Sequence, residues 1–430
     1  MKLVKPVVWV LSGLLAANCL ALTPPLKQID AFKIIALDGG DVRGAIGLPV
    51  AELSMAAMID GSMEPIPFQI DQYNIGGAVY FDGWDVPMAG TPDLLDVTDK
   101  ILFLFKDAGE RYTNGVPHDG RLLAEILTRD SEGHVRYVYL IRNSRLRSDE
   151  QYVRYSAEEG LVETDFYSIR YNLDNHLEWV DFSYGSYVGD RPLDSLRLIL
   201  RGGVLTSLAE VELNSDDLVA LPKGELIGPI RTTTQLEFNV MFMSVPILNL
   251  SVQIHHAPQS LIYDVRGMIP EFRRSFVVDP TITMSIDANG LLGATIRSSG
   301  NPELTGLVDG RIDEAEQGLI NAGLDPHSNW IWVSTKRNLD FLSYVDYLGG
   351  FDSKMTLLLE DDLYRERPNE LYPGQLPNTG YVIEEFPKSG FVGVVVSLLM
   401  SNGFEGDPRL FAVEARRLPE IEVRPLPFAF

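Results

Sequence analysis

Along most of the chain, apolar and polar residues alternate with period two, the spacing of side chains that point to opposite faces of a strand. Residues 230–242 show it most cleanly. Ile230, Thr232, Thr234, Leu236, Phe238, Val240 and Phe242 share one register, and Arg231, Thr233, Gln235, Glu237 and Asn239 share the other. This pattern predicts a long strand buried on one face. The same reasoning predicts strands over 136–141, 153–155, 164–171, 196–200, 281–286, 291–297, 330–334 and 410–415. Residues 391–400 (FVGVVVSLLM) are apolar almost throughout and are bracketed by Lys388-Ser389-Gly390 and Ser401-Asn402-Gly403, so they read as a strand buried on both faces. Helical spacing is scarce. It is clearest over 312–322 (IDEAEQGLINA), with Gly323 placed to end the helix. Asp60-Gly61 and Asn289-Gly290 have the composition of two-residue hairpin turns. The fold class predicted is all-β: a large antiparallel β-sandwich with a smaller N-terminal β domain.

The start of the chain departs from this pattern. Lys2 and Lys5 precede an apolar stretch, residues 7–17, which is too short to span a bilayer, and Cys19-Leu20-Ala21 follows with small residues at −3 and −1. These are the three parts of a secretory signal, cut before Leu22. Asn18 stands where a lipoprotein signal carries Gly, Ala or Ser, which favours simple cleavage over lipidation at Cys19. The expected organisation is a signal peptide at 1–21, an N-terminal β domain at 22–120 and the large β-sandwich at 121–430, with 114–120 as linker. The expected location is periplasmic or extracellular. Cys19 is the one cysteine, so stability rests on the core and not on disulfides.

Charge narrows the partners. The chain has 36 Lys+Arg against 60 Asp+Glu, a net of −24, and losing Lys2 and Lys5 takes it to −26. Nucleic acid is excluded, because binding it requires clustered cations. No later segment reaches membrane-spanning length, so no integral membrane segment is expected after the signal.

Residues 65–71 (PIPFQID), then Asp96, Asp99 and residues 101–111 (ILFLFKDAGER), and much later Gly228-Pro229-Ile230-Arg231, follow a recurring pattern. It resembles exported bacterial β-sandwich proteins of uncharacterised families often found with carbohydrate-degradation systems. The resemblance covers about a quarter of the chain. Residues 73–92 replace the glycine-rich acidic turn usual in those proteins, and Lys100 replaces an acid. The resemblance implies an exported β-sandwich and assigns no catalytic residue.

Candidate chemistry is sparse. No HExxH, CxxC or GxSxG motif occurs. His255 and His256 are adjacent, and in a strand such neighbours face opposite sides and do not share a metal. Asp71, Asp96, Asp99 and Asp107 bracket apolar strands, where oxygen-rich turns can bind calcium, but turn-capping or solvent-facing acids are the favoured reading. Asp309, Asp313, Glu314 and Glu316 read as the acidic first turn of the predicted helix. No metal or cofactor is assigned. Two aromatic tracts stand out. Trp179, Tyr184 and Tyr187 lie with Glu178 and Asp181 in the first, and Trp330 and Trp332 lie in the second. Aromatic faces beside carboxylates suit a neutral carbohydrate, and these seven residues are the candidate ligand site. Glu178 with Asp181 is the nominal carboxylate pair for a glycosidase, and His176 with Tyr184 the nominal acid–base set for a lyase. The other reading is a non-catalytic envelope or assembly component, whose aromatics fill the sandwich core. Whether the protein is an enzyme, and its oligomeric state, stay open at this level.

Overall fold

The computed structural model describes residues 27–83, 86–204, 206–213, 218–242, 245–271, 277–350, 353–363, 375–404 and 406–426. Residues 1–21, expected to form a signal peptide, and with them Cys19, lie outside the described residues. Strand makes up 52% of the structure and helix 10%, which makes the protein mainly all-β.

After the short helix α1 (Gln28–Ala31) come β1 (Ile34–Asp38), β2 (Leu53–Ile59), β3 (Ser62–Pro65), β4 (Gln69–Asp71), β5 (Lys100–Leu104), β6 (Arg121–Arg129) and β7 (Val135–Arg142). Next are β8 (Val153–Ser156), β9 (Leu161–Thr164), β10 (Tyr167–Asn172), β11 (Asn175–Tyr184), β12 (Leu193–Val204) and β13 (Thr206–Leu213). The long strands follow: β14 (Leu221–Ile227), β15 (Thr232–Phe242), β16 (Val245–Ala257), β17 (Ser260–Ile269) and β18 (Val277–Ala288). Then come β19 (Thr295–Ser298), β20 (Gly306–Leu307), helix α2 (Glu314–Ala322), β21 (Ile331–Ser334) and β22 (Asp340–Leu348). The chain closes with β23 (Lys354–Asp362), β24 (Gln375–Glu384), β25 (Gly390–Ser401), helix α3 (Pro408–Arg416) and β26 (Glu420–Pro425).

A nine-stranded sheet, β14-β15-β16-β17-β25-β22-β21-β19-β20, is the backbone of the molecule. Its inner face shares one core with the four-stranded sheet β11-β10-β9-β8 and the five-stranded sheet β13-β12-β18-β24-β23, uniting Trp179, Leu261, Leu398 and Tyr381. Two N-terminal sheets, β1-β5-β4 and β26-β6-β7-β2-β3, build a second core around Ile35, Leu53, Phe103 and Val138. β2 pairs with β7 from Leu53↔Arg142 onward, so backbone pairing crosses residue 120, and 114–120 is a connection within this layer. β26 returns from the far end of the chain to pair with β6.

β25 lies between β17 and β22 in the middle of the large sheet, where its valine-rich run belongs. α2 ends where predicted and begins two residues later, at Glu314: the Asp313 carboxylate accepts from Glu316 N, the Glu316 carboxylate accepts from Asp313 N, and Gly323 ends the helix at φ 69°. Asp60 and Gly61 turn β2 into β3 at φ 48° and 80°.

Two expected strands are shortened, with 165–166 turning between β9 and β10 and β19 beginning only at Thr295, and three further expectations change. Residues 410–415 are helical, not extended. The Asp407 carboxylate caps the first turn, Pro408 occupies its start, and Phe411, Ala412 and Ala415 recur at helical spacing against Trp330 and Trp332. The strand at 230–242 is not half-exposed: over 232–236 both registers are buried, because the loop around residues 72–83 lies on the outer face and Gln253 bonds both N–H and C=O of Val79. The side chains at 237–242 lie outside the described residues. Finally, Asn289-Gly290 does not close a hairpin: it passes the chain from the five-stranded sheet to the nine-stranded one.

Candidate functional site

The two halves of the recurring pattern meet in space. Arg231 Nε and Nη2 bond Asp71 Oδ2 at 2.8 and 2.6 Å, with the aspartate side chain 1% exposed. Arg231 Nη2 also donates to Tyr73 Oη at 3.1 Å. Gln69 Nε2 donates to Asp71 Oδ1 at 2.7 Å, and Gln69 Oε1 accepts from the backbone N–H groups of Ile230 and Arg231. A Cβ on Gly228 would lie 2.2 Å from Gln69 Oε1, which is why glycine stands there. This closed polar network seals the N-terminal layer onto the large sheet and leaves Asp71 committed to a partner.

The other acids are also committed. Asp99 Oδ2 accepts from Asp96 N and Asp96 Oδ1 from Val97 N, so both cap a turn. Asp107 Oδ1 accepts from Tyr152 Oη at 2.7 Å. His255 and His256 face opposite sides, as expected. His255 Nδ1 meets Thr233 Oγ1 at 2.9 Å beneath the covering loop, whereas His256 lies between the hydroxyls of Tyr167 and Tyr171 at 3.2 and 3.0 Å. Burial, with the His176 ring nearby, pushes the His256 pKa down to about 3, so it stays neutral.

The first aromatic tract occupies β11, and a bulge decides its exposure. Asp181 pairs with Arg170 and Trp179 with Tyr171, leaving Val180 as the extra residue. The shift places Trp179, Phe182 and Tyr184 on one side, all buried, although their numbers straddle both parities. Trp179 is 1% exposed and donates from Nε1 to Tyr263 Oη at 3.2 Å. It is a core residue and not a sugar platform. Glu178 accepts from Asn172 and Asn175 at 2.7 and 3.2 Å and braces the β10–β11 turn. Asp181 is exposed and paired with Arg191 Nε at 2.8 Å. Each nominal carboxylate of a glycosidase thus has its own partner. His176 is buried against Tyr171, at the other end of β11 from Tyr184.

Trp330 and Trp332 are 8% and 5% exposed, covered by α3 through Phe411 and Ala412. They too leave the candidate site. The second tract nevertheless reaches the first through its turn. Arg337 Nη1 donates to Tyr187 Oη at 3.1 Å, Val188 N to Arg337 O at 3.0 Å, and Ser186 Oγ to Asn338 O at 2.9 Å.

Around this junction lies a cleft of ≈ 550 Å³ lined by Asp181, Tyr184, Tyr187, Asp190, Arg191 and Asn289, with Ser183 on its wall. Three of the seven sequence-selected residues converge there: Asp181, Tyr184 and Tyr187. Tyr184 contributes from below, buried, with its hydroxyl on Asn402 Oδ1 at 2.7 Å. Tyr187 is half-exposed, and a Cβ on Gly189 would come within 2.8 Å of its ring, so glycine lets the loop fold close to it. Arg191 sits at φ 37°, a strained conformation for a residue with a side chain, and its guanidinium bonds both Asp181 and the carbonyl of the bulged Val180. Sequence reasoning missed Arg191 and Asn289, which become neighbours only through the bulge and the passage between sheets.

A larger hollow of ≈ 810 Å³ lies between α1, α3 and the outer face of the nine-stranded sheet, where Phe32, Lys33, Ile262, Tyr344, Phe411 and Arg416 face it. Arg416 stacks over Tyr344 at 4.8 Å and pairs with Asp346, so its polar groups are internally engaged.

No family model matches the chain, and no curated protein matches it. Among solved structures it is similar to an alpha-mannosidase from Enterococcus faecalis V583, at 8% identity and TM-score 0.49, over 92% of this chain and 43% of that one. It is also similar to a glycosyl hydrolase family 38 protein from Enterococcus faecalis, at 8% identity and TM-score 0.48, over 88% and 42% of the two chains. A heparan sulfate lyase from Pedobacter heparinus matches over 44% of this chain and 22% of its own, at 9% identity and TM-score 0.27. The chain spans less than half the length of each of these three proteins.

Proposed function

We propose that this is an exported, periplasmic or extracellular protein that binds a neutral saccharide in the cleft beside Tyr187. One observation carries the reading. Asp181, Asp190, Arg191 and Asn289 surround the half-exposed ring of Tyr187, placing hydrogen-bonding groups for hydroxyls around an aromatic surface for C–H faces. The bound sugar is neutral, because two carboxylates face the cleft against one guanidinium already paired with Asp181.

The test uses mature protein recovered from the periplasm, beginning at Leu22, titrated calorimetrically with a panel of neutral and anionic oligosaccharides. Saturable binding of a neutral member is expected, weakened at least about tenfold, roughly 1.4 kcal/mol, by Tyr187→Ala and by Asp190→Asn. Absence of binding across the panel would sink the proposal.

A second reading has its own support. Trp179, Trp330 and Trp332 are all buried, which removes the strongest sugar-binding surfaces of the sequence and favours a non-catalytic envelope or assembly component. A blank sugar panel on correctly folded protein is the outcome expected of that role.

A further inference from the structure

Inside the sandwich, the burial of alternating positions is inverted. On β18, Thr283, Ser285 and Asp287 are buried, while Ile282, Met284 and Ile286, which pack toward the core, are only half-buried. On β12, Leu196, Leu198 and Leu200 are likewise half-buried, as are Val265 and Val396 opposite them. The cause is a gap between the five-stranded and nine-stranded sheets.

Two voids occupy that gap, of ≈ 60 and ≈ 70 Å³. They abut at Leu196, Tyr263, Met284 and Val396, which line both. From that junction the first runs toward Leu193, Ala288 and Leu398, and the second toward Leu200, Ile282 and Val392. The three strands therefore agree on a single elongated slot. From Val392 to Leu398 it extends about 20 Å at roughly 3.3 Å per residue.

Its chemistry is as one-sided as its shape. The second void is walled by Leu, Val and Ile side chains with Met284, Tyr263, Phe386 and Gly393, and by Arg197, whose guanidinium is paired with Asp287. Hydroxyl-bearing residues other than Tyr263 line only the first void: Ser285, Ser343, Thr379 and Tyr381. The Tyr381 hydroxyl is buried and completes no hydrogen bond, although Ser343 stands near it. A water placed farther along the slot would find too few polar partners to replace its bonds, so the slot is dry. Together the voids approach the roughly 150 Å³ of an apolar cavity that accepts benzene. Their end-to-end arrangement selects a line of carbons over a ring.

We infer that the inter-sheet slot is a binding site for an unbranched aliphatic chain of about six to eight carbons carrying one hydroxyl, its apolar part along Leu198, Met284 and Val394 and its hydroxyl on Tyr381. The slot shares no lining residue with the saccharide cleft, although Leu193 and Ala288 at its end adjoin Pro192 and Asn289 of that cleft.

The probe is 1-octanol, added to the full mature protein labelled with [methyl-13C]methionine, with the Met284 resonance assigned by Met284→Leu. The expected result is a saturable shift of the Met284 methyl. Val396→Phe, which fills the junction, should abolish that shift without lowering the melting temperature, and Val394→Phe serves the same purpose if the first variant fails to fold. Tyr381→Phe should weaken 1-octanol binding by about tenfold, the equivalent of one hydrogen bond. No saturable shift at Met284 would overturn the inference. So would a filled variant that melts higher while the wild type ignores the probe, because the voids would then be packing defects only.

Discussion

Asp107 closes the turn after β5 with one carboxylate oxygen on Tyr152 and the other buried without a partner. Burial raises its pKa to about 6, against the opposing pull of the Tyr152 hydrogen bond and the Lys106 charge. In the unfolded chain the group titrates near 3.9. The folded state therefore binds the proton more tightly, and stability from this group is full below about pH 4 and lost as pH rises through 6. Asp107→Asn should be more stable than the wild type at pH 8, by up to about 3 kcal/mol, and equal to it at pH 4. Urea unfolding at the two pH values measures this, and an equal difference at both would show that the carboxyl does not titrate as its surroundings dictate. His256 has the opposite sign, losing stability as pH falls below 6.5, but it is common to both proteins and cancels. The sequence marked Asp71 and Asp107 as acids beside apolar strands. It could not show that Arg231, distant along the chain, would claim the first, because an ion pair depends on separation in space.

At the scale of elements, one inserted residue decides what β11 exposes. Strict alternation puts Trp179 and Asp181 on one face and Phe182 and Tyr184 on the other. The bulge at Val180 reverses the parity midway and sends all three aromatics inward. Deleting Val180 removes the extra residue and puts Trp179, Phe182 and Tyr184 in one plain alternating register, so all three should stay buried. Trp179→Ala, by contrast, should cost several kcal/mol, the scale of losing a large buried aromatic. Val180→Ala, at an exposed position, should change stability by less than about 1 kcal/mol. Thermal melts followed by near-UV dichroism check this, and a deletion as damaging as Trp179→Ala would show that losing Val180 turns the aromatics outward and that the bulge is not what aligns them. α3 teaches the same lesson differently. LFAVEA fits a strand as well as a helix over six residues, and its cap at Asp407 with Pro408 was the local signal that favoured the helix.

At the scale of the molecule, the chain is tied back on itself by β26. This strand forms an edge of the N-terminal sheet, paired with β6 from Glu420↔Arg129 to Pro425↔Ala124, and Ile421 and Val423 pack on that layer's core. A chain ending at Leu418 should keep the large sandwich and loosen the N-terminal layer. Hydrogen exchange should accelerate at least about tenfold at the β6 amides while β25, central in the nine-stranded sheet, keeps its protection. Uniform acceleration would show instead that the two cores unfold as one unit.

Period two, the valine-rich run of β25 and the capping residues of α2 determined the all-β class and its central elements without tertiary information, because each is a property of neighbours within a few residues. The candidate site was legible only in part: Asp181, Tyr184 and Tyr187 converge, and the three tryptophans and Glu178 do not. What decided between them was long-range. A bulge changed which face β11 turns outward, α3 covered Trp330 and Trp332, and the 72–83 loop buried the outer face of β15. Exposure is set by whatever packs on a residue, and those partners are brought there by sheet pairing between segments far apart in the chain.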